Sequence, residues 1–319
     1  MNPLPDPAVQ VLQVATVFVF APGISGVIAT VEARVQGRRG PRVLQPYYDL
    51  GKLYRKETLV PENASWVFLA APLVAFVGYL SVPLLIPVLT TYGLPLGYQG
   101  DILGGGFLLT LAGFVTALAG ADTGAPYAQL GSSRAMTFGA LVEPTILFVV
   151  FTVAAITATD LPYHEAATVR SAAGQIVRPA HLLAAAALFM AILADTGRIP
   201  VETHASTLEF GMIDEGRTLE HSGPALALFR HASAIKQLVL YTILANVFLV
   251  PWGLSSSGRP ASVALAIGTL LAKAIGIGCV VAVIDDSFAK LRLYKITEFC
   301  AAAFVLSVLA VFTLFLGGS

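Results

Sequence analysis

Apolar residues run almost unbroken through eight stretches, at roughly 9–31, 66–90, 103–121, 136–159, 179–195, 234–256, 261–284 and 297–316. A helix that crosses a bilayer needs ~20 predominantly apolar residues, and most of these runs are about that long. The hydrocarbon core offers no water to backbone N–H and C=O groups, so each run must pair them within itself, as a helix does. A spanning strand would alternate apolar and polar positions, and these runs do not alternate. The pattern predicts an all-α integral membrane protein: about eight tilted transmembrane helices in a single domain over residues 1–319. No low-complexity linker divides the chain. No basic residue precedes Arg34, so the first run is expected to stay as a helix and not to be cleaved as a signal.

The polar intervals orient the bundle. Residues 32–58 hold seven of the 19 Lys and Arg residues. With that interval in the cytoplasm and sides alternating, the cytoplasmic segments carry 15 basic residues, Arg230 and Lys236 among them. The outer segments carry three, Arg170, Arg178 and Arg259, and Lys273 falls inside a run. Basic loops stay cytoplasmic, so both termini are expected outside, which requires an even number of helices. Trp66 and Trp252 fall near run ends, where interfacial aromatics belong. Within the basic interval, Tyr47–Glu57 is expected to form a short amphipathic helix on the cytoplasmic face. Asp49 and Lys52 are three apart there and can pair, and the long basic stems can lie along the membrane surface.

Composition agrees: 56% of residues are hydrophobic, 12% are charged, and mean hydropathy is +0.78. Soluble domains carry about twice that charge. No basic face is extended enough for nucleic acid. The two cysteines, Cys279 and Cys300, lie in apolar runs and form no Cys-x-x-Cys, whereas an iron–sulfur cluster usually takes four thiolates. The five histidines, at 164, 181, 204, 221 and 231, include no pair spaced to share a helical face. No phosphate-binding glycine motif appears. The chain is expected to hold no catalytic centre, cofactor or metal of its own. The absence of an internal repeat weighs against a secondary transporter.

Ionisable groups inside membrane helices cost a few kcal/mol each on insertion scales, so those present need a reason. Glu143 lies in the fourth run and is followed by Pro144, which lacks a backbone donor and would leave a carbonyl free. It is either a hydrogen-bonded structural carboxylate or a proton-relay group. Asp122 and Asp195 end the third and fifth runs, where each alone reads as a helix stop. With Glu143 they place three carboxylates on the cytoplasmic side. Glu202 and Glu209 follow in the long interval 196–233 and share a face if 201–215 is helical. Lys273, in mid-run, must lose its proton or find a partner. It is read as a charge of the polar path or half of a structural ion pair.

Three segments carry a family resemblance. The first holds Gln45-Pro46, Asp49, Lys52 and Lys56-Glu57. The second is Tyr127-Ala-Gln-Leu-Gly131-Ser-Ser-Arg134, with Glu143 nine residues on. The third is Ala194-Asp195-Thr-Gly-Arg198-Ile-Pro200-Val-Glu202. Their order resembles that in the family of complex I subunit 1 and formate hydrogenlyase subunit 4. The complex I members carry four carboxylates shortly after the Arg-x-Pro. Only Glu202 and Glu209 match here, Ala205 and Thr207 replacing two others. The loop form, through Glu220-His221-Ser222-Gly223, looks like the formate hydrogenlyase branch.

The resemblance implies a non-catalytic membrane subunit of a group 4 membrane-bound [NiFe] hydrogenase-like complex, in the inner cell membrane of a prokaryote. Loops 32–65 and 196–233 would dock a peripheral arm of hydrogenase large- and small-type subunits, through Arg34, Arg38, Arg39, Arg42, Gln45, Asp49, Lys52, Lys56, Glu57, Arg134 and Arg198. Iron–sulfur clusters and a nickel–iron centre would sit in those partners. Asp122, Glu143, Asp195, Glu202, Glu209 and Lys273 would start a proton path toward antiporter-like membrane subunits. The alternatives are a quinone-binding subunit of an NADH:quinone oxidoreductase, a passive anchor, or a transporter.

Overall fold

The computed structural model describes residues 4–98, 100–171, 178–197, 213–287 and 293–316. Among these the chain is helical throughout, with no strand and a single isolated bridge between Thr90 and Ser255. The helices are α1 (Asp6–Val35), α2 (Gln45–Tyr54), α3 (Trp66–Leu85), α4 (Ile102–Asp122), α5 (Pro126–Thr157), α6 (Pro162–Ser171), α7 (Pro179–Asp195), α8 (Asp214–Arg217), α9 (Gly223–Ile243), α10 (Pro260–Ser287) and α11 (Leu293–Leu316). A π-helical segment, Leu244–Leu249, continues α9.

Seven helices are long and apolar enough to cross a membrane: α1, α3, α4, α5, α9 with its π segment, α10 and α11. The eighth run is α7, apolar but only 17 residues long. It still crosses the bundle, because His181 near its start meets Phe248 at the end of the π segment, while Asp195 at its end meets Lys236.

Helix α9 is the axis of the bundle. Its apolar window is 83% buried, against 22–44% for the other six long helices. It packs on α1, α2, α3 and α10. On the other flank α11 lies against α5 and α7, and α4 lies between α3 and α5. Small residues such as Ala71, Ala75, Ala112, Ala184 and Ala187 fill much of this core, letting backbones approach closely where no hydrophobic force drives helices together.

The chain between α3 and α4 turns back into the protein, and its backbone groups must be satisfied there. Gln13 does this from α1: its Nε2 donates to the Ile86 carbonyl at 3.1 Å, and its Oε1 accepts from Leu89 N–H at 3.1 Å. Asn246 on the π segment donates to the Pro87 carbonyl at 3.0 Å.

Three expected boundaries shift. Helix α5 begins about ten residues earlier than its apolar run, because Pro126 at its first turn starts a helix well. Helix α9 begins at Gly223, before Pro224, and not at 234. Arg230 and Lys236 are therefore helical residues and not loop charges. The sixth run stops at Leu249 because Pro251 and Gly253 follow. The amphipathic helix expected over 47–57 forms at Gln45–Tyr54. Arg198, Glu202, Glu209 and most of the expected helix 201–215 lie outside the described residues.

Candidate functional site

The loops that flank α2 and α8 are locked to one another before any chemistry is added. Ser222 accepts a hydrogen bond from Leu59 N–H at 2.7 Å, which ties the first basic loop to the turn before α9. Gly223 has φ of +53° and its missing Cβ leaves room for the Glu57 carbonyl, so a side chain there would be strained on both counts. Helix α8 is seated in the same way. A Cβ on Gly120 of α4 or on Gly131 of α5 would strike the Arg217 backbone, at 2.6 and 2.8 Å. Only glycine lets those helices close around α8. His221 fills the space beneath, stacked on Phe68 at 3.9 Å and edge-on to Phe229 at 4.7 Å. Burial among these rings pushes its pKa down to about 4, so the ring is neutral at physiological pH.

The sequence places Asp195 at the end of α7, and the fold gives it a partner that the apolar pattern concealed. Lys236, well inside α9, donates to the Asp195 carboxylate at 2.6 Å and to the Asp195 carbonyl at 3.2 Å. The Lys236 side chain is only 10% exposed, and its ammonium also lies 5.7 Å from the centre of the Tyr79 ring. A cation this buried requires such a partner. A second pair stands beside it on α8: Arg217 meets Asp214 at 2.6 Å.

Two cavities meet at these pairs. One, of about 450 Å³, lies between α1, α2, α3, α8 and α9, and reaches Asp49, Leu50 and Tyr79. The other, of about 320 Å³, lies between α4, α5, α7, α8 and α11, and reaches Phe114, Met136 and Glu143. Asp214, Arg217, Lys236 and Gly197 line both. Ala140 lines the second cavity, and its carbonyl has no helical donor because Pro144 stands four residues on. A space of about 30 Å³ continues from Glu143, Asp195 and Lys236 along Gly106, Leu109 and Ile146.

Of the residues expected to form a path, the structure gathers Glu143 and Asp195. Asp122 is engaged elsewhere: its carboxylate accepts from Ser65 N–H at 2.8 Å and from Ser65 Oγ at 2.9 Å, fixing the residue that caps α3. Lys273 also stands apart. Its ammonium donates to Asn246 Oδ1 at 2.9 Å and to the Val250 carbonyl at 2.7 Å, clamping α10 to the π segment. Helix side chains lean toward the N-terminus, which for α10 is the outer end. This lysine therefore reaches away from the cluster.

Of the expected docking residues, Arg198 lies outside the described ones, and the rest lie around α2 or near the start of α5. Arg34, Arg38, Arg39, Arg42, Lys52, Lys56 and Glu57 are all exposed around α2, and Arg134 lies on the inner end of α5. Gln45 donates to Asp49 at 2.9 Å. Lys52 reaches Asp49 at 3.9 Å with both side chains well exposed, a pair worth little by itself. The sequence reading missed Lys236, Asp214 and Arg217 as site residues. Lys236 already fell inside the apolar run 234–256, and Gly223-Pro224 is the signal that starts its helix well before it.

These features define a polytopic membrane helical bundle with paired charges between two cavities, beside a face of exposed basic residues. The chain belongs to the NADH dehydrogenase family, whose model matches residues 8–316. It is 31% identical to formate hydrogenlyase subunit 4 of Escherichia coli K12 over 88% of this chain and 90% of that one. To hydrogenase-4 component C of the same organism it is 28% identical, over 93% and 92%. To an NADH-quinone oxidoreductase subunit of Syntrophotalea carbinolica it is 28% identical, over 69% of each. A chain of the archaeal membrane-bound sulfane sulfur reductase, a respiratory membrane complex, shares the fold: TM-score 0.79, 18% identity, covering 97% of this chain and 100% of that one. The expected family and helical-bundle fold are thus shown. The relatives are components of multi-subunit complexes, and this chain is one membrane subunit among others.

Proposed function

We propose that this chain is the docking and ion-coupling membrane subunit of a hydrogenase- or formate hydrogenlyase-type complex, in the cytoplasmic membrane with both termini outside. The basic face around α2 binds the peripheral redox arm, whose own subunits hold the iron–sulfur clusters and the nickel–iron centre. The carboxylates lead ions from under that arm toward antiporter-like neighbours. The identity to formate hydrogenlyase subunit 4 along most of both chains favours this branch. The observation that carries the mechanism is the junction of the two cavities at Asp214, Arg217 and Lys236, with Asp195 held by Lys236 on the smaller one. It joins the docking face to Glu143 through groups able to hold charge or protons. The reciprocal effect of docking-side chemistry on this cluster is a coupling free energy between two sites.

The larger cavity also keeps a second reading open. Its size suits a small-molecule site, as a quinone head group would need. Its lining of Asp49, Asp214, Glu215, Arg217, Arg230 and Lys236 is more charged than an apolar quinone channel, and favours the first reading.

Glu143→Gln tests the proposal. A glutamine keeps the shape and loses the titration. Assembly and cluster content are expected to be normal, and electron transfer to artificial acceptors nearly so, while ion uptake per electron falls in reconstituted vesicles. Equal uptake and equal turnover would leave Glu143 structural and the chain a passive anchor.

A further inference from the structure

Five ionisable side chains line the smaller cavity, Glu143, Asp195, Asp214, Arg217 and Lys236, and the last three also line the larger one. Four of them form two close pairs, Asp214 with Arg217 and Asp195 with Lys236. Glu143 makes no ion pair or hydrogen bond to another described residue, and it feels the charges of both Asp195 and Lys236. It lines the same cavity as that pair.

We propose that Lys236 is a positioning residue that holds Asp195 as an anion through turnover, so that Glu143 alone takes up and releases the proton at this point of the path. The step is a simple transfer. The Glu143 carboxylate accepts a proton from water in the smaller cavity and becomes a carboxylic acid. It later returns that proton to water, and the Asp195–Lys236 pair is unchanged.

The argument is electrostatic. Two carboxylates facing one enclosed space share a proton between them, and their titrations then belong to the pair. A lysine fixed on one of them cancels its charge and separates their roles. The ammonium is in place because α9 starts at Gly223 and carries Lys236 into the bundle opposite the end of α7. The inference rests on reading this cluster as the ion path.

The test uses the assembled complex in vesicles, with Lys236→Met, Lys236→Arg and the double variant Asp195→Asn with Lys236→Met. Two readouts are followed: the pH profile of ion uptake per electron, and the protonated-carboxyl band in infrared difference spectra against wild type. Lys236→Met is expected to add a carboxyl band, which disappears in the double variant, and to shift the pH profile. Lys236→Arg should keep the wild-type band and profile. The double variant should recover most of the uptake, because Asp214 stays paired with Arg217 and Glu143 is again the one described acid on that cavity without an ion pair. If Lys236→Met adds no band and leaves the profile unmoved, the proposal is overturned. So it is if the double variant couples no better than Lys236→Met. If Glu143→Gln itself retains coupling, the reading of the path fails instead.

Discussion

At the scale of single residues, the acids of this chain are separated by what the fold sets beside them. Asp195 has a lysine, Asp122 has the start of α3, and Glu165 has nothing. Glu165 lies on α6 with no exposed surface, and neither carboxylate oxygen has a hydrogen-bond partner among the described residues. Burial, with Asp160 adding to it, pushes its pKa up to about 8. The acid is therefore protonated at neutral pH, and the sign of its effect follows. In the unfolded chain it ionises near 4.5, so its contribution is intact below that pH and is lost as pH rises toward 8. The loss approaches about 1.4 kcal/mol for each pH unit in that window. Glu165→Gln should have little effect at pH 5 and should raise the thermal midpoint in detergent at pH 9. A pH-independent difference between the two proteins would contradict this. The sequence made Asp122, Glu143, Asp195 and Lys273 visible because charges are rare in apolar runs. It did not show which of them meet, since that depends on how each helix is rotated about its axis.

At the scale of elements, the spanning runs were legible because hydropathy reports position along the membrane normal directly. The exceptions have physical causes. Arg230 and its neighbours made the start of α9, residues 223–233, look like loop, and Lys236, inside the run, is tolerated through its pairing with Asp195. Helix α6 was missed because ten residues with His164, Glu165 and Arg170 give no apolar signal. The amphipathic α2 was legible to within two or three residues, and its exposed cations support the docking role. If that role is right, changing Arg38, Arg39 and Arg42 together to Gln should release the soluble redox subunits from membranes. Exposed pairs contribute roughly 0.2–1 kcal/mol each, so the three together weaken docking by roughly threefold to a hundredfold. Release should grow with salt, which screens exposed contacts. Quantifying membrane-bound and free subunits across a salt series checks this. Wild-type retention at every salt concentration would move the dock elsewhere.

At the scale of the whole molecule, the polar space is one-sided. About 450 and 320 Å³ open on the side of the basic face, and they give way beyond Glu143 to two spaces of about 30 Å³ each. The outer of these is walled by apolar side chains, including Ile86, Leu109, Ile146, Val150 and Val247. A void of that size without polar partners stays dry. The two small spaces share Gly106, Leu109 and Ile146, so Ile146 stands between the charged cluster and the outer half. An ion path through this chain would then stop at Glu143 and leave sideways into a neighbouring subunit. Ile146→Asp puts a hydrated group into the dry segment. The assembled complex carrying it is expected to leak protons across vesicles in the absence of turnover, whereas Ile146→Val should stay tight. Adding Glu143→Gln to Ile146→Asp should close most of the leak, because the path into the dry segment runs past Glu143. A tight Ile146→Asp vesicle would show that the barrier lies elsewhere. A leak indifferent to Glu143 would show that water enters from the outer side by another route.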